Sequence, residues 1–133
     1  MVTVEIVGNR EESEVIDDSK PIFLQIAELI ENDIISGVLA EESQVPSTNE
    51  FAAFYRINPA TAAKGINRLV DEGLLYKKRG IGMFVVQGAP EKLRQQRREH
   101  FANQFIAPLK AEAAKLGINE DELLAMIKAN SPT

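Results

Sequence analysis

Residues 47–73 read STNEFAAFYRINPATAAKGINRLVDEG, and the fold turns on this stretch. Ser47-Thr48-Asn49-Glu50 is a capping box, with serine at the cap, glutamate three residues on and an apolar run behind it. It predicts a short helix from Thr48 to about Tyr55 that buries Phe51, Ala52 and either Tyr55 or Phe54. Arg56-Ile57 reads as a tight turn. Asn58-Pro59 is a second start signal, because asparagine accepts from first-turn amides and proline at the first helical position sacrifices no hydrogen bond. The helix it opens is expected to run from Pro59 to Glu72 and to stop at Gly73. A short helix, a tight turn and a second helix describe a helix-turn-helix.

The flanks complete the pattern. Ile22, Phe23, Ile26, Leu29, Ile30 and Ile34 recur at spacings of three and four, predicting a helix from Lys20 to Ser36 with Pro21 in its first turn and Gly37 as its left-handed cap. Val38 to Pro46 reads as a loop. Leu74 to Lys78 and Met83 to Gln87 are short strand-like runs joined by Arg79-Gly80-Ile81-Gly82, whose glycines allow positive φ. Residues 20–88 therefore predict a winged helix-turn-helix, in a chain that is mainly α with a β-hairpin wing. After it, Pro90 to Gly117 reads as a long helix bent at Pro108, with Leu93, Phe101, Phe105, Leu109, Ala113 and Leu116 along one stripe. Asn119 to Glu122 repeats the cap-and-acid pattern and opens a last helix carrying Leu123, Leu124 and Ile127 on one side. Residues 1–19 form an acidic leader in which Val2, Val4 and Ile6 alternate like a short edge strand.

Composition narrows the function classes. With 133 residues, 44% apolar and 26% charged, the chain can build one core and an appendage. It has no cysteine, which excludes disulfides and thiolate metal clusters and makes a reducing cytoplasm the expected compartment. His100 is the only histidine, so no His-rich metal site is expected. No unbroken apolar run exceeds that of Phe51 to Tyr55, far short of the ~20 residues that span a bilayer. Met1 to Arg10 lack the basic start and apolar stretch of a secretory signal. No phosphate-binding glycine loop, nucleophile elbow or paired-histidine site is present, so neither an enzyme nor a cofactor is expected.

The net charge of −5 argues at first against a polyanionic partner, but its distribution reverses that argument. Residues 1–19 and 20–55 each carry −5, residues 56–88 carry +4, and residues 89–133 carry +1. Local field matters more to a polyanion than global charge. On a helical wheel Ala62, Ile66, Leu69 and Val70 share one face of the third helix, and Ala60, Thr61, Lys64, Asn67 and Arg68 the other. Small residues let a helix enter a major groove, hydroxyl and amide groups meet base edges, and cations neutralise phosphate. An ordinary solvated helix face is the bland alternative. Three neighbours weigh against it: the short preceding helix, its start at Ser47, Thr48 and Asn49, and Lys77, Lys78 and Arg79 beside two glycines. The competing use of the basic face is to hold an acidic protein partner. The leader itself could lie on residues 56–88 and gate them.

In this order the motifs resemble the DNA-binding domain of GntR-type bacterial transcription regulators. The resemblance rests on Pro21-Ile22-Phe23-Leu24-Gln25-Ile26, Ser36-Gly37-Val38-Leu39, Val45-Pro46-Ser47 and Asn58-Pro59-Ala60-Thr61. It continues through Leu69-Val70-Asp71-Glu72-Gly73-Leu74-Leu75 and Arg79-Gly80-Ile81-Gly82-Met83-Phe84-Val85. It implies double-stranded DNA contacts from Ser47 and Asn49, from Asn58, Ala60, Thr61 and Lys64, and from Arg79, Gly80 and Gly82 at the wing tip. The chain departs from the family pattern at Asn49 and Ala63, where arginine is common, and at Arg56, where glycine is common and a positive charge is gained.

Only 45 residues follow the wing, which resembles the small YtrA-like branch, whose two C-terminal helices dimerise. A bent helix and a short one cannot by themselves bury Phe101, Phe105, Ile106, Leu109, Leu116, Leu123 and Ile127, whereas a second copy can. Leu93, Phe101, Phe105, Leu109, Leu116, Leu123 and Ile127 are the expected dimerisation residues, the alternative being that the helices fold back on the winged domain. A homodimeric repressor on a palindromic operator is the resulting expectation, with a small-molecule effector of unknown identity as a further partner and Phe101 and Phe105 lining its cleft. Arg94, Arg97 and Arg98 are either a solvated face or phosphate contacts beside the wing.

Overall fold

The computed structural model describes residues 16–130 apart from residue 18. The strand expected at Val2, Val4 and Ile6, most of the acidic leader and the tail at Pro132 lie outside the described residues. Among the described residues six α-helices and one hairpin follow in order: α1 (Ile22–Ser36), α2 (Thr48–Tyr55), α3 (Pro59–Asp71), β1 (Leu75–Lys78), β2 (Gly82–Val85), α4 (Ala89–Phe101), α5 (Ala107–Lys115) and α6 (Glu120–Ala129). A π-helical segment, Ala102–Ile106, joins α4 to α5. The fold is a winged helix-turn-helix followed by C-terminal helices. By internal contacts the chain divides into two compact units after Arg94.

Pro21 is the N-cap of α1 rather than its first helical residue, with ψ at 117° and no side-chain cap. Gln25 instead ties the segment before the helix to α1. Its Oε1 accepts from the Asp17 amide at 2.7 Å and its Nε2 donates to the Asp17 carbonyl at 2.6 Å. Asp17 in turn accepts from the amide and hydroxyl of Ser19, which hold its carboxyl below the usual range. Gly37 closes the helix at φ 86°, as expected. At α2 both arms of the capping box form: Glu50 N donates to Ser47 Oγ at 3.1 Å and Ser47 N to Glu50 Oε1 at 2.8 Å. Asn58 Oδ1 accepts from Ala60 N at 2.7 Å to start α3. That helix ends one residue early, with Glu72 as the cap and Gly73 turning the chain at φ 77°.

The winged unit's core is built from Ile26, Ile30 and Ile34 of α1, Phe51 and Ala52 of α2, Ala62, Ile66 and Leu69 of α3, and Leu75 and Val85 of the hairpin. Each large aliphatic buried this way contributes about 1.5–3 kcal/mol. Gly65, in mid-α3, lies against α1: a Cβ there would stand 2.6 Å from the Phe23 carbonyl oxygen and 3.0 Å from Ile26 Cβ. Glycine in a helix interior costs about 1 kcal/mol relative to alanine, and close helix approach is what it allows here.

The loop expected over Val38 to Pro46 is not wholly irregular. Glu42 N donates to Val85 O, Val85 N to Ser43 O and Val45 N to Met83 O, so residues 42–45 run along β2 as a short extra pairing. Val45 anchors it in the core, and a burst this short carries no periodic signal in sequence. The hairpin pairs Leu75 with Val85, Tyr76 with Phe84, Lys77 with Met83 and Lys78 with Gly82.

Ala89 and Leu93 of α4 belong to the same core, each 2% exposed or less. Leu93 is therefore corrected: it packs the winged unit and is not a dimerisation residue. Lys92 Nζ donates to the Glu72 carbonyl at 2.7 Å and Arg94 Nη2 to the Ile35 carbonyl at 3.1 Å, so two cations close the C-terminal ends of α3 and α1. Arg94 is thus committed to α1.

In the second unit, the bend expected at Pro108 takes a different form. Proline has no N–H and its ring clashes with the carbonyl four residues back. The chain widens before it, with Ala107 N–H reaching back five residues to Ala102 O. Asn119 and Glu122 form the expected capping box of α6, and Lys110 pairs with Glu120 across α5 and α6 at 3.4 Å.

Candidate nucleic-acid interface

The outer face of α3 is open. Ala62, Ile66 and Leu69 are essentially fully buried, while Ala60, Lys64, Asn67 and Arg68 are exposed. Ala60, Ala63, Lys64, Asn67, Arg68 and Asp71 line a shallow depression of about 570 Å³, closed on one side by Phe23 of α1. The two alanines supply the relief and the longer polar side chains rim it. Neither Phe23 nor Ala63 was among the contact residues expected from sequence. Phe23 sits in the apolar pattern of α1, and only the packing of α1 on α3 shows that its ring is half-exposed at this face.

Two cations of the face are held within the chain. Lys64 Nζ lies 4.1 Å from the Phe23 ring centroid, and Arg68 Nε is 3.4 Å from Glu72 Oε2. An exposed cation–π contact contributes about 0.5–1 kcal/mol and an exposed ion pair about 0–1 kcal/mol. A bidentate base contact is worth about 1–3 kcal/mol, so a groove can draw either side chain away.

Of the other expected residues, Ser47, Asn49, Arg56, Asn58, Arg79 and Gly80 are exposed, and Thr48, Thr61 and Gly82 are half-buried. None of them lines the depression; they stand on α2, the turn, the start of α3 and the wing. In α2 the capping box uses the amides of Ser47 and Glu50 and leaves those of Thr48 and Asn49 without a partner among the described residues. The start of α3 differs, because Ala60 N and Thr61 N already donate to Asn58. Arg56 closes α2 in the left-handed region at φ 56°, which explains why glycine suits the position.

At the wing, Lys78 Nζ lies 4.4 Å from the Phe84 ring centroid, and Phe84 stacks on Tyr76 at 5.9 Å. Tyr76 donates its hydroxyl to Glu42 Oε1 at 2.7 Å, and this bond raises its pKa above the ordinary phenol value. Arg79 forms no ion pair among the described residues and Ile81 is exposed at the tip. Among the described residues no cluster of three or more His, Cys, Asp or Glu side chains could hold a metal ion, and no helix is long and apolar enough to cross a membrane.

A helix-turn-helix with an exposed, cation-rimmed second helix and a basic hairpin defines a winged-helix protein. The sequence of residues 23–85 matches the family described as bacterial regulatory proteins, gntR family. A solved transcriptional regulator of the GntR family from Bacteroides thetaiotaomicron is 33% identical, with a TM-score of 0.66 over 81% of this chain and 94% of that one. The chain belongs to the GntR family. Two small relatives from Bacillus subtilis match along most of their length and place the chain beside the YtrA-like branch. The uncharacterized regulator YhcF is 29% identical over 83% of this chain and 89% of its own, and the transcriptional repressor YtrA 26% identical over 83% and 84%. Against larger curated relatives, 36% identical over 67 and 75 residues, the chain spans only 28% and 31% of their length.

Proposed function

We propose that this protein is a homodimeric transcription regulator, a repressor, that reads a palindromic DNA operator in the bacterial cytoplasm. The observation that carries the reading is the outer face of α3, where small residues form a depression rimmed by Lys64, Asn67 and Arg68. In this reading α3 enters the major groove. Ala60, Thr61, Lys64 and Arg68 face the bases and nearby phosphates, and Asn58 and Arg56 flank them. The first turn of α2, at Ser47, Thr48 and Asn49, meets a phosphate. Arg79, Gly80 and Gly82 of the wing meet the adjoining backbone or minor groove.

Dimerisation is supported by the second unit, where only Ala113 and Leu123 are buried among the described residues. Phe101, Phe105, Ile106, Leu109, Leu116, Leu124 and Ile127 stay exposed, Phe101 and Phe105 with ring centroids 5.5 Å apart. Leu123, expected on the dimer surface, is 9% exposed within its own chain. Two copies over half-sites about one helical turn apart combine their discrimination.

The test is binding of duplexes selected from a random pool, measured by anisotropy across a salt series. If about six phosphates are neutralised by the dimer, log K falls with log salt at a slope near −5. A slope flatter than about −2 excludes the groove-bound arrangement. In sedimentation, Phe105→Glu should convert the dimer to monomer; a wild-type chain already monomeric at micromolar concentration removes the dimer reading.

A further inference from the structure

We infer that Gln44, a residue outside α2, α3 and the wing, is a positioning residue that presets the wing tip for DNA. The inference rests on the reading that the wing touches DNA and deepens it. A two-stranded hairpin with strands of four residues is marginal when unsupported, and a tip that orders only on binding loses roughly tenfold in affinity per residue fixed. The wing tip turns through Lys78, Arg79, Gly80 and Ile81, with Ile81 N donating to Lys78 O at 2.9 Å. That bond and the ladder pairing of Lys78 with Gly82 close the turn, and the carbonyl of Ile81 is left to find a partner outside the hairpin. Gln44 holds it. Its Nε2 donates to the Ile81 carbonyl at 3.0 Å, across 37 residues of sequence.

The backbone of Gln44 is anchored separately. It bridges Phe84 of β2, and its neighbours exchange hydrogen bonds with Met83 and Val85. The side chain therefore reaches the tip from a fixed base. Gly82 supplies a second observation. It sits at φ 148°, and a Cβ there would collide with Gln44 Nε2. The glycine makes room for the amide as well as for the backbone. With the Ile81 carbonyl held from outside the hairpin, the backbone path of the tip through Arg79, Gly80 and Ile81 is set before DNA arrives.

Gln44→Met tests this, since methionine matches glutamine in length, carries no charge and cannot donate. The probes are duplexes recovered by selection with the wild-type chain, each used full length and with its outer flanks removed so that the wing has no DNA beneath it. On full-length duplex, Gln44→Met should weaken binding about 3- to 10-fold, the range of one net hydrogen bond. On the shortened duplex it should match the wild type within about twofold, with an unchanged slope against salt at α3's contacts. The melting temperature should hold, because the Gln44–Phe84 bridge uses backbone only. An equal loss on both duplexes, or none on either, overturns the role of Gln44 while leaving the wing reading intact. If shortening the duplex leaves wild-type affinity unchanged, the wing does not touch DNA and both readings fall.

Discussion

Replacing Gly65 by alanine sets two physical effects against each other, and the structure decides the sign. In an isolated helix the change stabilises by about 1 kcal/mol, because glycine carries the larger backbone entropy. In this fold the new methyl would stand 2.6 Å from the Phe23 carbonyl oxygen and 3.0 Å from Ile26 Cβ. Ordinary contact lies near 3.5 Å, so α1 and α3 must separate by roughly 0.5–1 Å where they cross. The obstacle is backbone of α1 and cannot rotate away. Overpacking of this kind costs about 1–3 kcal/mol, and a backbone obstacle belongs at the upper end of that range. The net expectation is destabilisation of about 2 kcal/mol, or roughly 8–16 °C in melting temperature for a domain of 60–100 residues. Thermal and urea unfolding of the full chain, followed by circular dichroism at one protein concentration, measures it. A Gly65→Ala protein as stable as the wild type, or more so, would show that the α1–α3 approach is not close and would refute the packing argument.

Arg56→Gly should act in opposite directions on two properties. Removing a side chain from the left-handed region stabilises the fold by about 1 kcal/mol, read as a higher urea midpoint, while loss of one cation weakens DNA binding and lowers the salt slope by about one if Arg56 meets phosphate. Tyr76 provides a pH signature. Its folded pKa is raised by the bond to Glu42, so the stabilisation is complete below the ordinary phenol pKa and disappears as pH rises through the raised value. Glu42→Ala, which removes the acceptor, should bring the Tyr76 titration back toward 10 in ultraviolet absorbance; an unshifted curve would mean that the Tyr76–Glu42 bond does not form in solution.

Much of the local structure of the candidate interface was legible because it is written locally. The Ser47–Glu50 box, the Asn58-Pro59 start, the glycines at 37 and 73 and the alternation of α3 between Ala62, Ile66, Leu69 and Ala60, Lys64, Arg68 each involve residues within a turn or two of one another. Their partners are sequence neighbours, so type and spacing suffice. Leu93 was misread for the same reason that the stripe was seen. Spacing along a helix shows that a side chain seeks burial but not against what, and here the winged core takes it before a second copy can. Pro108 shows a milder version, since the missing N–H was evident but not whether the chain would bend or widen into a π turn.

By itself the sequence determined the order of elements, most of the caps that start and stop them, and the gathering of positive charge into residues 56–88 on which the proposed partner rests. Only the tertiary structure decided that Gly65 is a crossing point, that Phe23 borders the α3 face, that Lys92 and Arg94 close α3 and α1, and that Gln44 reaches the wing. Each of these contacts joins residues distant in the chain. A hydrogen bond or a steric limit between such groups exists only once packing has brought them together, and no local pattern of residue types encodes it.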